Sequence, residues 1–155
     1  MADLTARDIM TPDPVTIGPD ATVTEAACLM VEKHIGALPV VKDGKLVGLV
    51  TEGDLIMQDV KLEFPSYIHL LDGFIMYPPA TARFESELKK AVAATVSRVM
   101  TAEPITVQAT SSVEDVATVL VERDVSRTPV LDGDVLVGIV TKSDVVRSMF
   151  GGSKR

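Results

Sequence analysis

The nine residues LVGLVTEGD, positions 46–54, recur as LVGIVTKSD at positions 136–144. An offset of 90 positions aligns residues 9–56 with 99–146 without a gap, so that IMTPDPVTI faces VMTAEPITV and ALPVV faces RTPVL. Roughly a third of the aligned positions are identical and most others exchange one apolar residue for another, which marks an internal repeat. A unit this short buries too little surface to be comfortable alone. The two copies are therefore expected to pack together around a shared pseudo-two-fold axis.

Within each copy the pattern predicts strand, helix, strand, strand, helix. Pro14-Val15-Thr16-Ile17 is a short β-branched run, and after Gly18-Pro19-Asp20 the apolar positions Val23, Ala26, Ala27, Met30 and Val31 recur at helical spacing. Leu38-Pro39-Val40-Val41 and Leu46-Val47-Gly48-Leu49-Val50 are strands joined through Asp43-Gly44, a hairpin signal that Asp132-Gly133-Asp134 repeats. A helix opens at Thr51 and again at Thr141. The expected fold class is α+β: a first β-α-β-β-α repeat over 1–60, a helical insert over 61–96 and a second repeat over 97–155.

The insert carries five of the six aromatics, Phe64, Tyr67, Phe74, Tyr77 and Phe84, the sixth being Phe150. Phe64, Tyr67, Ile68, Leu71 and Phe74 form one helical stripe, stopped by Pro78-Pro79, and Phe84, Leu88, Ala91, Val92, Thr95 and Val96 suggest a second. Such stripes complete a core, face another subunit, or lid a cleft; aromatics are enriched at interfaces.

The chain has 155 residues, 46% of them hydrophobic and 24% charged, as ordinary globular proteins do. No apolar run reaches membrane-helix length and the N-terminus has no signal-peptide pattern, so a cytoplasmic protein with no membrane partner is expected. A net charge of −7 without a basic cluster opposes nucleic-acid binding. The single cysteine, Cys28, excludes an intrachain disulfide, and within AACLMV it is expected to be a buried, inert thiol. His34 and His69 are far apart in sequence, no ligand spacing suggests a transition metal, and neither G-x-G-x-x-G nor a P-loop occurs. Carboxylates such as Asp54 have no evident nucleophile to serve, so catalysis is not expected, nor a catalytic residue or required cofactor.

The repeated T-x-x-D admits two readings. Thr51 with Asp54, and Thr141 with Asp144, have the spacing of a capping box, with Asp replacing the usual Glu or Gln. The same geometry suits a ligand: a helix N-terminus offers free N–H groups to phosphate, the Thr hydroxyl donates, and a carboxylate accepts from ribose hydroxyls. These residues alone leave cap and site evenly matched.

The order MTxxPhTh, hydrophobic-Pro-Val strand, hairpin and GhVTxxD (h, hydrophobic), present twice, resembles the CBS domain, named after cystathionine β-synthase. Two copies resemble a tandem CBS pair, or Bateman module. The resemblance covers almost the whole chain outside the insert. It implies two clefts between the repeats that take adenine nucleotides or other adenosyl compounds, and further association of pairs into disc-like dimers. Carried over residue by residue, the phosphate- and ribose-holding positions are Thr51 and Asp54, and Thr141 and Asp144. The adenine-contacting positions fall on Ile17, Ile35, Gly36 and Ala37, and on Val107, Val125, Ser126 and Arg127.

The copies differ in charge. The second has Arg123, Arg127 and Lys142; the first has Lys33, His34 and, opposite Lys142, Glu52. Because an arginine clamps phosphate oxygens in a fork, unequal affinities are expected, with one cleft receiving Arg127 and Lys142 and binding the more phosphorylated ligand. The expected function is a stand-alone regulatory module, homodimeric, that senses AMP, ADP or ATP ahead of S-adenosylmethionine and passes its output to a separate effector protein. The rival is a dimeric scaffold that binds no ligand and interacts through its aromatic insert.

Overall fold

The computed structural model describes residues 3–61 and 94–151. His69, the aromatic stripe over 64–74 and the second apolar stripe over 84–92 lie outside the described residues. In chain order the elements are α1 (Ala6–Ile9), β1 (Thr11–Pro12), α2 (Val23–Lys33), β2 (Ala37–Lys42), β3 (Lys45–Thr51) and α3 (Glu52–Lys61). The second copy follows with α4 (Val96–Val99), β4 (Thr101–Ala102), β5 (Val107–Gln108), α5 (Val113–Glu122), β6 (Arg127–Asp132), β7 (Val135–Thr141) and α6 (Lys142–Phe150).

Local chemistry places the long helices. Thr22 and Glu25 form a reciprocal capping box at α2, each side chain accepting the other's backbone N–H at 3.0 Å, and Ser112 accepts from the Asp115 N–H at 3.1 Å at α5. Ala26 and Met30 of α2 are buried, as are Val116 and Leu120 of α5. The expected apolar face is narrower than the sequence pattern: Val31 is 76% exposed and Cys28 is exposed rather than buried. At 3.6 residues per turn, Val31 lies roughly 140° around the helix from Ala26 and Cys28 about 160° the other way, so neither can share its buried direction. His34 closes α2 in a left-handed conformation (φ 55°); its counterpart Asp124 is also left-handed (φ 51°) but follows Arg123, which caps α5.

The hairpins are two forms of one device. Asp43 (φ 51°) and Gly44 (φ 77°) both take the positive φ of a type I′ turn, whereas in the second copy Gly133 takes it (φ 62°) and Asp134 does not, the pattern of type II′. The expected strand over 14–17 reduces to a bridge from Ile17 to Val40, while the second copy forms a true β5 parallel to β6. The further rung is the bond from the Ala109 N–H to the Leu131 carbonyl at 2.7 Å, which Pro19, at the corresponding place, has no N–H to make. Gln108 clasps the hairpin, its amide nitrogen donating to the Gly133 carbonyl at 3.2 Å and its oxygen accepting from the Gly133 N–H at 3.0 Å. Gly18, at the corresponding place, has nothing to offer.

The two sheets run β2-β3-β4 and β1-β7-β6-β5, which means that the short arms are exchanged. Thr11 and Pro12 pair with Ile139 and Gly138 of β7, and Thr101 and Ala102 pair with Leu49 and Gly48 of β3. Backbone bonds from the Ala6 N–H to the Ser111 carbonyl and from the Val96 N–H to the Ala21 carbonyl, both 2.8 Å, fasten the two arms in matching fashion. Each core accordingly borrows from the other copy: Ala6, Ile9 and Met10 join Val116, Leu120 and Val130, while Val96 joins Met30, Leu38 and Val50. A Cβ on Gly48 or Gly138 would overlap the sulfur of Met100 or Met10, so glycine is what lets each arm lie this close. Direct contact between β3 and β7 completes the junction of the copies.

Candidate ligand clefts at the two capped helices

Each candidate cleft is built where a β-strand ends and a helix begins. Asp54 Oδ2 accepts from the Thr51 N–H at 2.8 Å and from the Thr51 hydroxyl at 3.1 Å, while the Thr51 oxygen accepts from the Asp54 N–H at 3.3 Å. Thr141 and Asp144 repeat the arrangement at 2.9, 3.1 and 3.2 Å. The capping reading is therefore realised in both copies. It consumes one carboxylate oxygen and leaves Oδ1 over.

The leftover oxygens differ in their surroundings. Arg147 Nη1 donates to Oδ1 of Asp144 at 3.2 Å, and Asp144 is only 7% exposed. Asp54 is half-buried, and among the described residues nothing donates to its Oδ1. The residue at Arg147's place in the first copy is Met57, which is exposed and carries no donor. Opposite charges three apart on a helix are the sequence signal that could have revealed this clasp.

The strand before each hairpin brings the other expected positions in. Ala37 pairs with Thr51 and Arg127 with Thr141, and the carbonyls of Gly36 and Ser126 accept the first helical N–H groups, from Glu52 at 3.1 Å and Lys142 at 3.0 Å. Ile35 and Val125 hang from the ends of α2 and α5 through bonds to the Met30 and Leu120 carbonyls, their side chains packed on the two cores. Six of the eight expected adenine-contacting residues thus adjoin a capped helix. Ile17 and Val107 lie farther along, against Val40 and Val130.

Arg127 and Lys142 do not serve one cleft together, contrary to the expectation from sequence. Lys142 opens α6 in the second copy, but the Arg127 guanidinium reaches the first: an ideal Cβ on Gly36 would stand 2.8 Å from its Nη1 and 3.3 Å from Oε1 of Glu52. The reason is symmetry. A side chain leaving β6 beside the junction points across it, and the first copy has only Ala37 at the matching place. Arg127 Nε is buried, with no hydrogen-bond partner among the described residues.

Among the described residues no three His, Cys, Asp or Glu side chains gather as metal ligands would, and no helix is long and apolar enough to cross a membrane.

Two hairpins with exchanged arms and a capped helix after each define the tandem repeat, and the sequence agrees: residues 6–60 and 96–151 match the CBS domain. The chain belongs to the CBS domain family. An uncharacterized protein of Methanocaldococcus jannaschii is 30% identical over 151 residues, covering 92% of this chain and 89% of that one. The chloroplastic CBS domain-containing protein CBSX2 of Arabidopsis thaliana is 33% identical over 154 residues, covering 93% of this chain and 63% of its own length. The crystal structure of CBSX2 in complex with AMP matches with a TM-score of 0.71 at 29% identity, covering 96% of this chain and 97% of that one. The CBS domain pair of protein MJ0100, in complex with 5′-methylthioadenosine and S-adenosyl-L-methionine, matches with a TM-score of 0.70 at 28% identity, covering 99% of this chain and 100% of that one.

Proposed function

We propose that this protein is a regulatory module that senses an adenine nucleotide or related adenosyl compound in the clefts between its repeats. The observation that carries the reading is the convergence, twice over, of a strand-end Gly36 or Ser126 carbonyl with a Thr–Asp pair at a helix start. Its support from relatives is that the CBSX2 structure holds AMP and the MJ0100 pair holds adenosyl compounds. Backbone groups and small or apolar side chains suit a flat purine, and a carboxylate suits its ribose hydroxyls. Occupancy acts by differential affinity for two arrangements of the repeats, and its consequence is read by a separate effector protein.

Calorimetric titration with AMP, ADP, ATP and S-adenosylmethionine tests this. Binding of at least one by the wild type, lost when Asp54→Ala and Asp144→Ala are combined, supports the reading. No binding by the wild type refutes it, and binding that survives the double substitution refutes the ribose assignment.

Homodimerisation belongs to the same reading. Val31 and Val121 occupy corresponding places on α2 and α5 and are 76% and 72% exposed, and Met149 and Phe150 are exposed at the end of α6. Paired apolar positions suit a second copy whose own symmetry matches. Light scattering should report a dimer that Val31→Asp with Val121→Asp converts to a monomer.

A further inference from the structure

We propose, resting on the adenosyl reading above, that Arg147 is an autoinhibitory latch on the second cleft, holding the Asp144 oxygen that a ribose hydroxyl needs. The two clefts then fill over different ranges of ligand concentration. Arg147 follows Asp144 by one turn on α6, close enough for its Nη1 to donate to Oδ1 at 3.2 Å. The arginine is steadied by the end of its own helix. Its carbonyl accepts the Gly151 N–H at 2.8 Å, and an ideal Cβ on Gly151 would stand 3.2 Å from Arg147 Cγ, so the closing residue lies against the arginine stem.

A ribose at this cleft exchanges with the arginine rather than adding to it. The Thr141 N–H and hydroxyl hold Oδ2 of Asp144, which leaves Oδ1 for a ligand, and Arg147 is already on it. Asp144 is only 7% exposed, so guanidinium and hydroxyl compete for the same oxygen. A buried carboxylate oxygen left without a donor costs free energy, and release of the arginine is therefore coupled to arrival of the hydroxyl. The Arg147 side chain is half exposed and has water to swing into.

The first cleft has no latch. Met57 stands at Arg147's place, exposed, with a thioether that cannot donate, and among the described residues no donor reaches Oδ1 of the half-buried Asp54. The two Thr–Asp caps otherwise match bond for bond. An ion pair with one partner half in water weakens as salt rises. Salt should therefore open the second cleft even to an uncharged ligand, the reverse of its effect on binding by charge attraction.

Calorimetric titration with adenosine, which carries no charge for salt to screen, tests the latch at low and high salt. Asp54→Ala isolates the second cleft and Asp144→Ala the first, with thermal midpoints confirming folding. In the Asp54→Ala background, affinity should rise roughly twofold to fivefold from low to high salt, the worth of a half-exposed ion pair. Adding Arg147→Met should give that gain at low salt and remove the salt response, whereas Arg147→Lys should retain part of the response. Met57→Arg, a surface change added to Asp144→Ala, should install a latch in the first cleft: adenosine affinity falls several-fold at low salt and recovers at high salt. Lost packing alone would shift affinity without making it depend on salt. A second cleft whose adenosine affinity ignores both salt and Arg147→Met, or that binds adenosine with neither residue at 147, overturns the latch and leaves the adenosyl reading to the wild-type titrations above. A wild type that binds none of the adenosyl compounds overturns both.

Discussion

Arg147 donates to Oδ1 of Asp144 at 3.2 Å, one helical turn from the Thr141 cap that engages Oδ2, so the second copy's carboxylate has a donor on each oxygen. Asp54 has donors on one oxygen only among the described residues. Two sites with the same letters in sequence are thus unequal as acceptors. In the proposed ligand reading, and among the described residues, Asp54 keeps one oxygen for a ribose hydroxyl, whereas Asp144 would first have to release Arg147.

Arg147→Met should therefore improve adenosine binding at the second cleft several-fold, since one hydrogen bond is worth about 1 kcal/mol. Stability should change by less than about 1 kcal/mol, because the Arg147 side chain is half exposed and such pairs are screened. Calorimetric stoichiometry separates the clefts. In wild type, Asp54→Ala should remove most of the adenosine signal and Asp144→Ala little of it.

The caps themselves have a measurable worth. Thr51→Val or Thr141→Val removes the oxygen that accepts from the Asp N–H, at a cost of about 1 kcal/mol each in urea unfolding. The serine substitutions should keep most of that stability, because they retain the hydroxyl. A threonine-to-valine change with no stability effect would mean that the caps are not formed in solution.

The repeat, its hairpins and both caps were legible because they depend on near neighbours: Asp43-Gly44 and Thr51-x-x-Asp54 state their own geometry. What escaped depends on contacts between copies. Nothing local says that Thr11 pairs with Ile139 rather than with its own hairpin, or that Arg127 leans over Gly36. The apolar pattern of α2 also misled at Cys28 and Val31, which letter counting cannot separate from core when an exposed face is apolar. Arg147 was readable in principle from its spacing to Asp144.

Thr128 replaces the leucine of the first copy and is fully buried, its hydroxyl donating to the Ile105 carbonyl at 2.7 Å. Thr128→Val should cost about 1 kcal/mol, because shape is kept while the Ile105 carbonyl, on an exposed residue, loses its donor. The denaturant slope should stay constant, so the midpoint alone reports the loss.

The first turn of the chain carries a pH-dependent contact. Hydrogen bonds from the Thr5 backbone N–H at 2.8 Å and hydroxyl at 3.0 Å hold the Asp8 carboxyl below its ordinary value of 3.8, with Arg7 adding a smaller effect. A carboxyl lowered on folding contributes stability that is present above its unfolded pKa and disappears as pH falls through its folded pKa. The arm over 5–12 should thus loosen only on the acid side of that ordinary value. Carboxyl NMR titration should give Asp8 a midpoint below that of an unstructured aspartate, and Thr5→Ala should raise it.

The exchanged arms offer the sharpest test of how the copies are joined. At Gly138 an added Cβ would overlap the Met10 sulfur and also come within 2.8 Å of the Thr11 carbonyl oxygen; at Gly48 the matching oxygen, of Thr101, is 3.1 Å away. A flexible sulfur can retreat, but a strand carbonyl that pairs in the sheet cannot. Gly138→Ala should cost about 1–3 kcal/mol, the range for overpacking, and more than Gly48→Ala. Met10→Ala in the Gly138→Ala background should relieve the sulfur overlap and leave the carbonyl one. The double-mutant cycle should show a coupling of about 1 kcal/mol between Met10 and Gly138, and Met100 paired with Gly138 should show none. Coupling between Gly138 and Met100 instead would mean that each arm lies on its own copy, and the exchange would be wrong.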